Sequence, residues 1–276
     1  FKGDDADDII FEEQKLSERL PSRLETPEEL PFGYTAHLVS ALDIAPELVY
    51  DTKGPLGIAD LKTVPASFSR LRFPAFTPGM PKGLETTKGV LPDTAKKDTI
   101  LFTPYQSFDA FEKFPKAAGE DADVSEIFIT LYRLGSDSPV ADALISAAEA
   151  GKKVTAVVEL KASFDEERNF LWSKKLEKAG VDVKFGIPDL KTHAKCCLVA
   201  RKEGGEKRYY ASVSSGNYNA GTARVYSDLS LFTADERICR DIRKLFSQID
   251  DGKISGGFES ILVSPDGIED GILRMI

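Results

Sequence analysis

His193 and Lys195 carry the strongest chemical signal in this 276-residue chain, two positions apart inside the stretch 190–226. An imidazole of ordinary pKa ~6.5 is uncharged at physiological pH and attacks phosphorus without a separate base. On a strand, residues i and i+2 share a face, so Lys195 projects beside His193 and can offset charge on phosphoryl oxygens. Seven Lys or Arg against two Glu make 190–226 a +5 island in a chain of formal net charge −9. Taken alone, a His-x-Lys pair also fits a buried histidine packed beside a salt-bridged lysine. Behind it, the small residues 214–217 (Ser-Ser-Gly-Asn) form a loop whose N–H groups could approach an anion closely. Arg133 ends a buried strand-like run at 126–132, just before a Gly-Ser-Asp turn, where a guanidinium grips phosphate bidentately. A plain surface arginine would look the same.

Several long runs, in one order, resemble a known family. KTHAK (191–195), GNYN (216–219) and TARVYSDLSLFTAD (222–235) are similar to histidine-phosphorylating polyphosphate kinases, relatives of the phospholipase D superfamily. PYQSF (104–108), LYRLGSDSP (131–139) and VELKASFDEERN (158–169) extend the likeness. The resemblance implies reversible transfer of the ATP γ-phosphate to long-chain polyphosphate through a phosphohistidine on His193, with Lys195 beside it. It implies Mg²⁺, and ATP/ADP and inorganic polyphosphate as partners. It places Arg133 in the polyphosphate site near Mg²⁺. An arginine has no lone pair to donate, so the contact expected of it is to phosphate rather than metal. Tyr226 matches a nucleotide-contacting tyrosine, and Tyr105 and Gln106 are expected in the same cleft. Ser163 stands where the family has a second phosphate-binding arginine, and Lys161, two residues earlier, could substitute in part. Family members are much longer, with a second phospholipase D-like domain supplying another histidine, and the full-length protein is expected to be a homo-oligomer. The alternative is a phospholipase D-like phosphodiesterase acting as a homodimer. Those hydrolases place an aspartate five residues after the lysine, where this chain has Ala200.

The three cysteines, Cys196, Cys197 and Cys239, are odd in number and sit in apolar context. They read as reduced core thiols of a cytoplasmic protein, with association to a membrane surface left open. No apolar run nears the ~18 residues of a membrane span. The acidic balance argues against a broad nucleic-acid-binding face. Ten acids and four bases give the first thirty residues −6, which leaves −3 for the remainder. The chain begins with Phe1, as an excised piece would.

The elements that must position these residues follow from pattern. The expectation is an α/β fold: a phospholipase D-like mixed sheet with helices on both faces, preceded by a partial α+β segment and a Pro-rich connector. Residues 1–98 would hold the end of a head domain and the connector, 99–250 the catalytic domain, and 251–276 the start of a second such domain. In the first part, 36–42, 45–49 and 56–62 read as short helices, with His37 half-buried. The connector, 64–92, carries prolines 65, 74, 78, 81 and 92 and is expected to be extended. Strands are expected at 99–103, 126–132, 154–160, 181–185, 195–200, 209–214, 228–232 and 258–263. Helices are expected at 108–118, 139–150, 164–179, 235–249 and 268–275. Ser138, Pro139 and Gly151 give one helix its cap, first residue and stop, and Ser163 with Glu166 would form a capping box for the next. Gly204-Gly205 reads as a hairpin turn. Among phosphate and metal motifs, GxxxxGK[ST], GxGxxG and HExxH do not occur.

Overall fold

In the computed structural model, residues 21–64, 68–160, 166–188, 190–265 and 267–276 are described. The chain divides into two compact units at Thr77/Pro78, earlier than the boundary near residue 98 that the sequence suggests.

In the first unit, β1 (Leu24–Pro27) and β2 (Val49–Thr52) pair in parallel. Thr26, buried at the centre of β1, donates its hydroxyl hydrogen to Asp51 Oδ1 at 3.0 Å. Helix α1 (Phe32–Leu42) contains the expected helix 36–42. Its His37 is exposed, not half-buried, because no residue of α1 is buried. The stretch expected as helix 45–49 is instead a 3₁₀ turn, Pro46–Leu48, running into β2. Its Val-Tyr pair favours a strand once β1 offers a partner. Residues Ile58–Thr63 are 3₁₀ rather than α-helical.

The second unit opens with a departure from the sequence reading. Residues Thr87–Lys96 form helix α2, although Pro92 sits inside it. The missing N–H and the ring cost about 3 kcal/mol in a helix interior. Burial of Val90, Leu91 and Thr94, with the Thr86 side chain accepting from Gly89 N at 3.1 Å, offsets that cost.

The main sheet contains β3 (Thr99–Thr103), β4 (Val124–Leu131), β5 (Lys153–Val158), β6 (Asp182–Lys184), β7 (Cys196–Glu203), β8 (Glu206–Ser214) and β9 (Asp228–Thr233). Their order is β3-β9-β8-β7-β4-β5-β6. β4, β5 and β6 run parallel to one another, and the other pairings are antiparallel. β5 is buried along nearly its whole length, as a parallel strand covered on both faces should be. Gly204 and Gly205, at φ +58° and +91°, turn β7 into β8 in the two-residue form that sheet twist favours.

The register separates two faces. On one, Phe232 of β9 meets Phe111 and Phe114 of helix α3 (Asp109–Glu120), and Phe111 stacks on Tyr218 at 3.8 Å. On the other, Phe128, Leu198 and Ala211 pack under Ile242, Leu245, Phe246 and Ile249. Those four lie on helix α7, given below, and each buried side chain contributes about 2 kcal/mol. Helices thus cover both faces, as expected. Helix α4 (Pro139–Glu149) has the expected cap, Ser138 Oγ accepting from Ala141 N at 3.2 Å. Helix α5 (Glu166–Lys178) is followed by Gly180 at φ +89°; the capping-box residue Ser163 lies outside the described residues, as does Lys161. After the short α6 (Ala220–Ala223) comes α7 (Glu236–Asp250), capped by Asp235.

Residues 258–263 are irregular rather than a strand. Their N–H groups are intercepted. The buried Asp241 carboxylate of α7 accepts from the N–H groups of Glu259, Ser260 and Ile261 through Oδ2, at 2.8, 2.6 and 3.3 Å. The chain then enters α8 (Ile268–Met275).

Candidate active site

Because β7 runs antiparallel to β4, the segment leading into β7 lies at the C-terminal ends of the parallel strands. This is the end where open α/β sheets place their ligands. Asn169 of α5, fully buried, joins the two strand ends by donating from Nδ2 to the carbonyls of Tyr132 and Glu159, both at 2.9 Å. Trp172, one turn later, donates its Nε1–H to the Gly135 carbonyl at 2.8 Å. These contacts hold the loop after β4 against α5.

His193 lies before the ladder begins, not on a strand, and it is exposed while Lys195 is buried. Four contacts fix the segment. Thr192 N–H donates to Glu159 Oε2 at 2.6 Å, and Lys195 Nζ donates to the His193 carbonyl at 2.6 Å. Thr130 Oγ1 donates to the Ala194 carbonyl at 2.7 Å and accepts from Cys196 N at 3.0 Å. The His193 ring stands edge-to-face with Tyr132, centroids 4.7 Å apart and planes at 88°. Lys195 Nζ lies 4.8 Å from the centroid of that same ring, and Lys191 Nζ 5.5 Å. His193 and Lys195 are therefore brought together, through Tyr132 rather than by strand alternation.

Partial desolvation of the ring and the two ammonium groups push the His193 pKa below its ordinary value, which favours the neutral nucleophilic form. Burial brings Lys195 down to about 8, against a pull upward from Asp228. Asp228 also accepts from Ser215 Oγ at 2.7 Å. A side chain at Gly216 would collide with the Asp228 carboxylate, so only glycine allows this approach of loop and strand. Asn219 caps α6 through Thr222 N at 3.0 Å and donates from Nδ2 to the Arg133 carbonyl at 3.4 Å. Asn219 is thus the N-cap of this short helix.

A cavity of about 590 Å³ opens beside this segment. Lys191, His193, Lys195, Ser214 and Ser215 line one side, while Ile242, Leu245, Leu262, Val263 and Ile268 line another. Among the described residues its walls do not include Arg133, which is half-buried beside Tyr132, or Tyr226, which is 62 % exposed. Tyr105 and Gln106 lie outside it too; Gln106 Oε1 accepts from Phe102 N at 2.8 Å, and Tyr105 packs on Phe102. Ala200 is fully buried in β7 between Glu126 and Tyr209, so no carboxylate stands at that position.

Among the described residues, no three His, Cys, Asp or Glu side chains gather closely enough to hold a metal ion. The groups around His193 are chiefly cations, and the nearby Glu159 already accepts a backbone N–H. Such a donor set does not fit a resident Mg²⁺.

Tyr132, Glu159 and Asn169 were not singled out by type or spacing. An aromatic at a strand end, a strand carboxylate and a helix amide each pass for packing or surface. Their roles arise only when β4, β5, α5 and the His193 segment meet.

Residues 90–254 match the family model of polyphosphate kinase C-terminal domain 1. The chain belongs to the polyphosphate kinase family. It is 38 % identical to a polyphosphate kinase from Pseudomonas aeruginosa over 92 % of this chain and 37 % of that protein. To the polyphosphate kinase of Mycolicibacterium gilvum it is 38 % identical over 99 % of this chain and 39 % of that protein. The crystal structure of polyphosphate kinase from Porphyromonas gingivalis superimposes with a TM-score of 0.77 at 31 % identity, covering 93 % of this chain and 40 % of that one. The chain thus spans under half the length of these polyphosphate kinases. Among the described residues, no helix is long and apolar enough to cross a membrane.

Proposed function

We propose that this chain is the part of a polyphosphate kinase in which His193 receives the phosphoryl group. One imidazole nitrogen attacks the γ-phosphorus of ATP in line. The bond from γ-phosphorus to the β,γ-bridging oxygen breaks, ADP leaves with that electron pair, and His193 carries the phosphoryl group. A terminal phosphate oxygen of polyphosphate then attacks this phosphorus, the P–N bond breaks, and the imidazole is restored. Both steps are reversible, since P–N and phosphoanhydride bonds are both high in energy.

The observation that carries this reading is an exposed, neutral-favouring imidazole with two ammonium groups beside it at the rim of a cavity. Phosphoryl transfer needs little covalent chemistry from protein; positioning and charge stabilisation do most of it. Lys195 and Lys191 offset charge on the phosphoryl oxygens. Arg133 contacts the phosphate chain, Lys161 serves as a further phosphate-binding cation, and Tyr226 borders the nucleotide. Magnesium enters as part of the nucleotide substrate. Cytoplasmic placement and homo-oligomerisation of the full-length enzyme complete the reading.

Incubation with γ-labelled ATP tests it. Acid-labile, base-stable label is expected on the protein and is expected to vanish in His193→Ala. Undiminished labelling of that variant would end the proposal.

A further inference from the structure

We infer that Tyr132 is a positioning residue for His193, and that it acts through its ring alone. The segment around His193 is pinned by its backbone, yet the imidazole itself makes no hydrogen bond among the described residues. Catalytic and metal-binding histidines are commonly oriented by a carboxylate or carbonyl on the second ring nitrogen. Here the neighbour that fixes the ring plane is Tyr132, edge-to-face at 4.7 Å and 88°, the arrangement aromatic quadrupoles favour.

The same ring does a second job. Lys195 and Lys191 repel each other and disfavour a proton on His193, yet both ammonium groups lie within 5.5 Å of the Tyr132 centroid. The π face offers cations an attraction that leaves their donors available to phosphate, which a carboxylate would not. One ring therefore gathers the nucleophile and its charge-offsetting groups at a single place. Tyr132 is itself held there: it directly follows β4, and its carbonyl accepts from Asn169 Nδ2 at 2.9 Å. Its hydroxyl makes no hydrogen bond among the described residues. Phenylalanine should therefore serve as well as tyrosine, and an aliphatic side chain should not.

The kinetic part rests on the proposed phosphoryl transfer, but the geometric part does not, so two readouts separate them. The chain has only two histidines, and exposed His37 supplies an internal reference for proton NMR. In the wild-type chain, His193 ring protons should show cross-relaxation to Tyr132 ring protons and shifts displaced from those of His37. Tyr132→Phe should keep both features. In Tyr132→Leu the His193 shifts should move toward those of His37. In the labelling assay at saturating ATP, Tyr132→Leu should slow phosphorylation of His193 by at least about tenfold, with Tyr132→Phe within about twofold of wild type.

Unchanged His193 shifts in Tyr132→Leu would overturn the inference. So would a Phe variant as slow as the Leu variant, which would give the role to the hydroxyl. A Leu variant slowed only at low ATP would make Tyr132 a binding residue and not a positioning one. Should Tyr132→Leu fail to fold, absence of the cross-relaxation in the wild-type chain would overturn the inference by itself. If even wild-type protein takes no label, the proposed function falls, and the NMR measurements still decide the placement of His193.

Discussion

Both ends of the main sheet are rich in charge, and they use it in opposite ways. At the hairpin end, Arg201 reaches Asp121, Asp123 and Glu203 at 2.9, 3.0 and 3.0 Å. Arg208 also pairs with Glu203, and the Tyr210 hydroxyl donates to Glu203 in a short hydrogen bond. Lys152 spends its protons on the carbonyls of Asp121 and Val124. The shifts report this pairing. Burial is the largest influence on Asp121 and would raise it, but the hydrogen bonds from Arg201 and Asp123 N, with the charges of Arg201 and Lys152, together hold the carboxyl low. For Glu203 the Tyr210 hydrogen bond is the largest influence and lowers it. At the His193 end, Lys191 and Lys195 make no ion pair among the described residues, and Lys195 is pushed down to about 8. Charge that finds its partner within the fold stabilises the fold. Charge left without one is available to a ligand.

The comparison would break if the two ends responded alike to mutation. Arg201→Met should cost the most, about 3 kcal/mol in urea unfolding, because three carboxylates lose a shared partner. Polyphosphate binding should hardly change. A loss under about 0.5 kcal/mol would show that the hairpin network is ornamental, as exposed pairs often are.

Lys195→Met should reverse the pattern. Removing one charge-assisted phosphate contact should weaken polyphosphate binding by about thirtyfold, roughly 2 kcal/mol. Calorimetric titration would measure it. Stability should hold or rise, since the folded state no longer desolvates an ammonium group. A Lys195→Met chain that binds normally, or that unfolds more readily, would put Lys195 with the hairpin residues.

The smallest effect is in pH. With its folded pKa near 8 against an ordinary 10.5, Lys195 is charged at pH 7 and largely neutral at pH 9. Bound phosphate favours the charged form, so above pH 8 binding must take up a proton. Affinity should fall between pH 7 and 9, by at most about tenfold if only the charged form binds. Stability should move the other way. From about pH 8 to 10.5 the unfolded chain keeps a proton that the folded chain has lost, so this group's contribution to stability rises with pH. Binding that is flat across this range, or equally steep in Lys195→Met, would remove Lys195 from the anion site.

Legibility in the sequence followed the range of the interaction. Ser138, Pro139 and Gly151 around α4, and Gly204-Gly205 between β7 and β8, act over a few residues, and the structure has them as expected. Helix α2 was hidden by Pro92, whose local cost is outweighed by burial of Val90 and Leu91 against distant elements. Residues 258–263 carry a strand's composition, but Asp241, far back in the chain, takes the N–H groups a ladder would need. His193 and Lys195 stood out as a candidate pair because histidine occurs only twice in the chain and a lysine follows this one at i+2. Their joint ring did not, because Tyr132 lies sixty-one positions earlier and meets them only through the order of β4 and β7.

The Asp241 contact also has a mechanical side. Residues 262–265 and Ile268, which form one wall of the cavity beside His193, continue directly from the three N–H groups that Asp241 holds. That wall belongs to no sheet; it is held to α7 by the Asp241 carboxylate, by the Arg240–Glu259 ion pair and by packing of Ile261 and Val263 on the helix. A wall tied in this way takes its shape from the side chains of one helix and not from a ladder of strand hydrogen bonds, so substitutions on α7 reach the cavity without touching the sheet.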